Sequence, residues 1–174
     1  MKKRNEDSTV IVKRNEECCA TFHPEKWDKK TYHWDRKKFI KASVPTLFHI
    51  PLPPMIGNKV TKMMRLAEDS NSLAANKEDV LLLFSDPSAF KTDLFLSVEN
   101  FIMEAENINL SGTFVSKVFD GAFKAVPKFI KQMNAYLDKQ KQKAKNYYVH
   151  YAYCPKCAKK EGHNYMVLFA ELEG

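Results

Sequence analysis

A chain of 174 residues fits one domain of ordinary size, and 44% apolar residues with twelve Phe are enough to build a core. Five Gly and eight Pro exclude collagen-like and low-complexity fibres, and no apolar run reaches the roughly 18–20 residues of a membrane span. The net charge of +7 raises nucleic acid and anionic membrane as partners without selecting either.

Met1-Lys-Lys-Arg4 is followed by Asn5, Glu6 and Asp7 with no apolar stretch behind it, so no secretory signal is expected. The expected setting is a reducing cytoplasm, where the four cysteines serve as thiols or metal ligands rather than disulfides. Residues 1–30 are charged and aperiodic and read as an N-terminal arm. Within it, Cys18-Cys-Ala-Thr-Phe-His-Pro-Glu-Lys-Trp27 concentrates thiols and aromatics, which is costly to leave in water; residues 18–27 are expected to dock on the body.

Phe39 to Ile50 is β-rich and ends at Pro51 and the Pro53-Pro54 pair. Ile56, Val60, Met63, Met64 and Ala67 recur at helical spacing. Val80 to Phe84 reads as a short strand, Ser85-Asp-Pro-Ser as a turn, and Asp93 to Glu99 alternates as the second strand of a hairpin. The order then recurs. Leu110 to Phe119 reads as a strand, and Val126, Phe129, Ile130, Met133, Tyr136 and Leu137 form a helical stripe with Pro127 in its first turn. Tyr147 to Tyr153 alternates as a strand, Cys154 to His163 reads as a turn, and Asn164 to Leu172 closes the chain as an apolar strand.

Both halves, about 34–106 and 107–174, therefore read strand, helix, strand, strand. The expected fold class is α+β: tandem duplicated βαββ units forming antiparallel sheet with both helices on one face. Charge is segregated along this order. Glu68 to Glu106 holds nine acidic and two basic residues, whereas Lys124 to Lys145 holds seven basic and one acidic. The run Lys139 to Lys145 lacks interleaved aromatics for base stacking, so it reads as a solvated connection and not as a nucleic-acid site.

Tandem βαββ units of this size resemble the GyrI-like small-molecule-binding family. The likeness is carried by Gly112-Thr-Phe-Val-Ser-Lys-Val-Phe-Asp-Gly121, by the helix opening Pro127-Lys-Phe-Ile130, and by the tyrosine-rich and terminal strands. It extends to stand-alone forms often labelled hydrolases through Phe22-His-Pro-Glu-Lys-Trp27 and Cys154-Pro-Lys-Cys-Ala158. Ala122 and Phe123 stand where such proteins commonly carry Pro and Tyr. The resemblance implies a cleft between the halves, lined by aromatics with a carboxylate at depth, suited to planar or cationic organic ligands.

The residues fit that expectation. Trp34, Tyr148, Tyr153, Tyr165 and Phe169 supply ring faces, with His49 and His150 as further ligand-binding candidates. Glu171 and Glu99 end the final strands of the two halves and are the candidate acid/base groups, with Tyr151 beside them to orient substrate or water. Aromatics at alternate strand positions serve equally as core, and a Glu near a strand end is commonly solvated.

Cys154-Pro-Lys-Cys157 has the spacing of a half zinc site. His163, and from the docked segment Cys18 or Cys19 and His23, are the candidates to complete it, and zinc is the candidate cofactor. A redox dithiol and ordinary thiols are the competing readings. The expected function is a stand-alone small-molecule binder, with hydrolysis by a Glu acid/base as its enzymatic form. The alternative is a non-enzymatic interaction module with a structural metal at the CPKC segment.

Overall fold

The fold is described by a computed structural model covering residues 19–51 and 54–174. The first eighteen residues of the expected arm, Cys18 among them, lie outside the described residues.

Seven strands form one antiparallel sheet. They are β1 (Lys30–Leu47), β2 (Ile50–Pro51), β3 (Leu82–Ser88), β4 (Lys91–Ser97), β5 (Glu106–Asp120), β6 (Ala144–Tyr151) and β7 (Tyr165–Leu172). β2 is a short return on β1, made through Phe48 and His49, both at positive φ. The six longer strands close on themselves: β1 pairs with β4, β4 with β3, β3 with β6, β6 with β7, β7 with β5 and β5 with β1. The result is barrel-like, and each long strand has a neighbour on both sides. The pairing is unchanged when β1, β3 and β4 are exchanged with β5, β6 and β7.

Side-chain alternation sorts the strands' residues into an inner and an outer face. On β4, Leu94 and Leu96 face outward to α1 (Met55–Asp69), where Met63 and Ala67 bury against them with Ile40 and Val44. On β7, Met166, Leu168 and Ala170 face outward to α2 (Val126–Asp138), meeting its Phe129, Met133 and Leu137 at i, i+4 and i+8. Both long helices thus lie on the outer face. The inner face collects Phe39, Leu83, Phe95, Phe114, Tyr148, Val167 and Phe169, at least one from each of the six strands. Burying each such side chain contributes on the order of 1.5–3 kcal/mol.

Three local readings are corrected. β1 begins at Lys30, ahead of the apolar run, because it pairs with β5 from Lys30↔Ser116 onward; a bulge between Trp34 and Lys37, with Arg36 at φ 47°, lets it bend. β3 continues through Ser85-Asp-Pro-Ser, which forms a bulge opposite β4 in place of a turn. Cys154 to His163 is not a plain turn: Pro155–Glu161 forms a third helix, α3. Pro sits in its first turn and Gly162 ends it at φ +72°. The CPKC segment therefore follows β6 and opens a helix, where the sequence reading had it bridge two strands directly.

Candidate functional site

The inner face carries two buried carboxylates among its rings. Glu171 is 8% exposed and stands opposite Phe114 on one side and Asn146 on the other. Asn146 Nδ2 donates to its Oε2 at 2.9 Å, and Lys145 Nζ lies 2.9 Å from its Oε1. The Tyr148 hydroxyl donates to Oε2 at 3.5 Å. Burial, then the Glu171 charge and this hydrogen bond, push the Tyr148 phenol up to about 12, so it stays protonated at neutral pH and serves as a hydrogen-bond donor.

One wall of this site is backbone. Gly112, at φ +144°, pairs with Trp34, and a Cβ on it would lie 3.7 Å from Glu171 Oε1 and 3.6 Å from the Phe114 ring. Only glycine adopts that φ readily, and its bare Cα leaves room beside the carboxylate. The Trp34 ring lies 4.1 Å from Phe114 and 5.8 Å from both Phe39 and Phe169. Phe114 and Phe95 in turn meet Tyr148 at 6.2 and 5.6 Å. The arrangement sets a negative charge and a phenol donor among rings of which Phe39, Phe114 and Phe169 are fully buried and Trp34 is partly exposed.

The second carboxylate is Asp93, 6% exposed. Ser43 Oγ donates to it at 2.5 Å, and Lys41 and Lys91 lie 3.3 and 3.1 Å away. Burial pushes its carboxyl up, but the hydrogen bonds from Ser43, Lys91 and Lys41 outweigh this and hold it below the ordinary carboxylate value. With its charge matched by two ammonium groups, Asp93 is a structural anchor.

Of the remaining residues singled out from the sequence, His150 lies on the inner face and the others are dispersed. Glu99 lies past the end of β4, exposed to solvent; its carbonyl accepts from Lys38 and its N–H donates to Ser72. Tyr151 belongs to the opposite face of β6 from Tyr148. It packs on Phe84 and Phe123 beside α2, and its phenol is pushed up to about 12 by burial and then by Asp86. His49 is exposed at the β1–β2 return, 3.8 Å from Asp86. His150 Nδ1 sits 3.1 Å from the Leu82 carbonyl, and burial pulls its imidazole below the ordinary value. Tyr153 and Tyr165 pack on Phe22 at 6.4 and 5.3 Å. Glu171, Tyr148, Trp34, Phe169 and His150 are the candidates that share the inner aromatic region, His150 pairing with Leu83 and Val167 and lying 6.2 Å from the Trp27 ring.

Asn146, Lys145, Gly112 and Asp93 were not singled out beforehand. Period-two alternation with Tyr148 flags Asn146, and with Phe95 it flags Asp93; the cross-strand partner that makes Gly112 a wall is legible only once the register is known.

A separate constellation lies at the start of α3. The sulfurs of Cys19, Cys154 and Cys157 are within 4.8 Å of one another, close enough to hold a metal ion. The Cys154 N–H donates to Cys19 Sγ at 3.3 Å, and the Cys157 N–H to Cys154 Sγ at 3.5 Å. His163 is placed elsewhere: its Nδ1 is 2.7 Å from Asp120 Oδ2, and its ring stacks on Tyr165 at 4.9 Å. Among the described residues, no helix is long and apolar enough to cross a membrane.

The fold is shared with solved structures of low sequence identity. A crystal structure of an uncharacterized conserved protein from Listeria innocua matches with a TM-score of 0.61 at 10% identity, covering 84% of this chain and 92% of that one. A hydrolase from the same organism matches at 0.59 and 9% identity, with 84% and 92% covered. The structure of SAV2435 bound to tetraphenylphosphonium matches at 0.53 and 10% identity, with 84% and 94% covered. No curated protein sequence matches the chain. The family described as bacterial hydrolase matches residues 10–172, nearly the whole length, and the chain belongs to that family.

Proposed function

We propose that the chain binds planar or cationic organic molecules at the inner aromatic face and hydrolyses an electrophilic member of that class with Glu171 as acid/base. The observation that carries this is the buried Glu171 carboxylate, held by Lys145 and Asn146 beside the Tyr148 phenol and the Trp34 and Phe114 rings. Membership of the bacterial hydrolase family supports the reaction type. The lipophilic cation bound to SAV2435 supports the ligand class. The exchange symmetry of the strand pairing supports reading the halves as duplicated βαββ units of a GyrI-like module, and the proposed setting is the cytoplasm.

In the proposed reaction Glu171 takes a proton from water as the hydroxyl adds to the electrophilic carbon. The same carboxyl then returns the proton to the leaving atom. Tyr148 stays protonated and orients the water or the leaving atom by hydrogen bonding. Lys145, whose side chain is half exposed, pairs with the carboxylate and has room to swing away when substrate arrives.

Turnover of an electrophilic small-molecule panel tests the reading. Glu171→Gln is expected to abolish turnover while far-ultraviolet circular dichroism stays unchanged; full turnover by that variant would overturn it. The second reading, a metal-bearing interaction module, is favoured by the cysteine cluster.

A further inference from the structure

We propose that Cys19, Cys154 and Cys157 form a three-thiolate zinc site that clasps the segment 19–28 onto the barrel. In a tetrahedral zinc site with Zn–S bonds of about 2.3 Å, sulfurs stand about 3.8 Å apart. The three sulfurs already lie within 4.8 Å, so a contraction of about 1 Å or less brings them to ligating distance. Two come from one turn of chain, Cys154 capping α3 and Cys157 within it. The third comes from a segment more than a hundred residues away in sequence. A ligand set drawn from two distant segments is the arrangement in which a metal adds most to tertiary stability.

The clasped segment has work to do at the inner face. Phe22 and Trp27 pack against the inner aromatic cluster, Trp27 at 6.2 Å from Phe169, 6.2 Å from His150 and 6.3 Å from Tyr32. The Phe22 N–H donates to the Tyr153 hydroxyl at 3.2 Å. At its far end the segment is tied by Ser116, which donates to the Trp27 carbonyl at 2.5 Å, and by the Val118 N–H, which donates to Asp28 at 3.0 Å. At its near end the tie is Cys19. Zinc there fixes where Phe22 and Trp27 sit on the rings.

Binding converts three thiols to thiolates and releases three protons, leaving a net charge of −1 on the zinc and its three sulfurs. Lys156, Lys159 and Lys160 on α3 lie on the same short helix and offset it. The fourth tetrahedral position belongs to a group outside the three. Soft thiolate donors with no carboxylate among them select zinc over magnesium or calcium. The site is independent of Glu171 chemistry, so the two assignments fail separately.

The test uses the full chain, reduced and stripped of metal, then titrated with zinc and read by native mass spectrometry and by fluorescence of its two Trp residues. One zinc per chain with a change in Trp emission is expected, and cobalt in its place gives sulfur-to-cobalt charge-transfer absorption. Cys19→Ser and Cys157→Ser are each expected to lose stoichiometric binding. Cys19 lies outside every strand, so Cys19→Ser keeps the barrel's circular dichroism; Glu171→Gln retains the zinc. Absence of zinc from the reduced chain, a disulfide among the three in its place, or stoichiometric zinc retained by Cys19→Ser would each overturn the assignment.

Discussion

Tyr148 and Glu171 stand diagonally across the β6–β7 ladder on the inner side of the barrel, their oxygens 3.5 Å apart. Burial first, and then the Glu171 charge and hydrogen bond, make ionisation of the phenol costly. The stability this gives has a definite pH window. An unfolded Tyr ionises near pH 10. The folded group holds its proton to about 12, so its contribution is complete below about pH 10 and is lost as pH rises through about 12. Denaturation followed between pH 9 and 11.5 is expected to show falling stability. Tyr148→Phe makes that limb shallower, with Tyr151, whose phenol is also pushed up to about 12, supplying part of what remains, and an unchanged slope in the variant would contradict the pairing.

Asp93 gives the opposite dependence. Its folded value lies below that of an unfolded Asp, so its contribution is present above about pH 4 and is lost as pH falls through the folded value. Asp93→Asn leaves Lys41 and Lys91 without their anion at a site where the carboxylate is almost fully buried. The variant is expected to lose about 1–3 kcal/mol at neutral pH, with a shallower acid limb in urea denaturation.

Gly121 lies under the Phe129 ring: a Cβ would stand 2.9 Å from its Cζ. That ring is itself stacked on Phe119 at 4.7 Å, so it has little room to yield. Gly121→Ala is expected to cost about 1–3 kcal/mol by overpacking, read as a lower urea midpoint with an unchanged slope.

Lys145 competes with any cationic ligand for the same carboxylate. Lys145→Gln is therefore expected to tighten binding of tetraphenylphosphonium by about two- to fivefold, the range of a half-exposed ion pair. The tightening should vanish in the Lys145→Gln, Glu171→Gln double variant.

Much of this was legible from residue order. The stripe Phe129, Met133, Leu137 located α2, and alternation in the last strand put Phe169 and Glu171 on one face. The site's composition was less legible for a physical reason. Period-two patterning says which residues share a face but not which face is inside, so Tyr151 and Tyr148 were both candidates although they project to opposite sides of β6. Glu99 looked equivalent to Glu171, yet β4 ends at Ser97 and Glu99 is solvated beyond it. Register decides the rest: Gly112 beside Glu171, and Cys19 beside Cys154, are contacts between segments far apart in sequence.

Calorimetric titration of tetraphenylphosphonium into the wild-type chain, Glu171→Gln and Glu99→Gln tests the inner-face site most directly. Saturable binding by the wild type, weakened about tenfold or more by Glu171→Gln and unchanged by Glu99→Gln, is the predicted result. Equal affinity in all three proteins, or no binding by any of them, would contradict it.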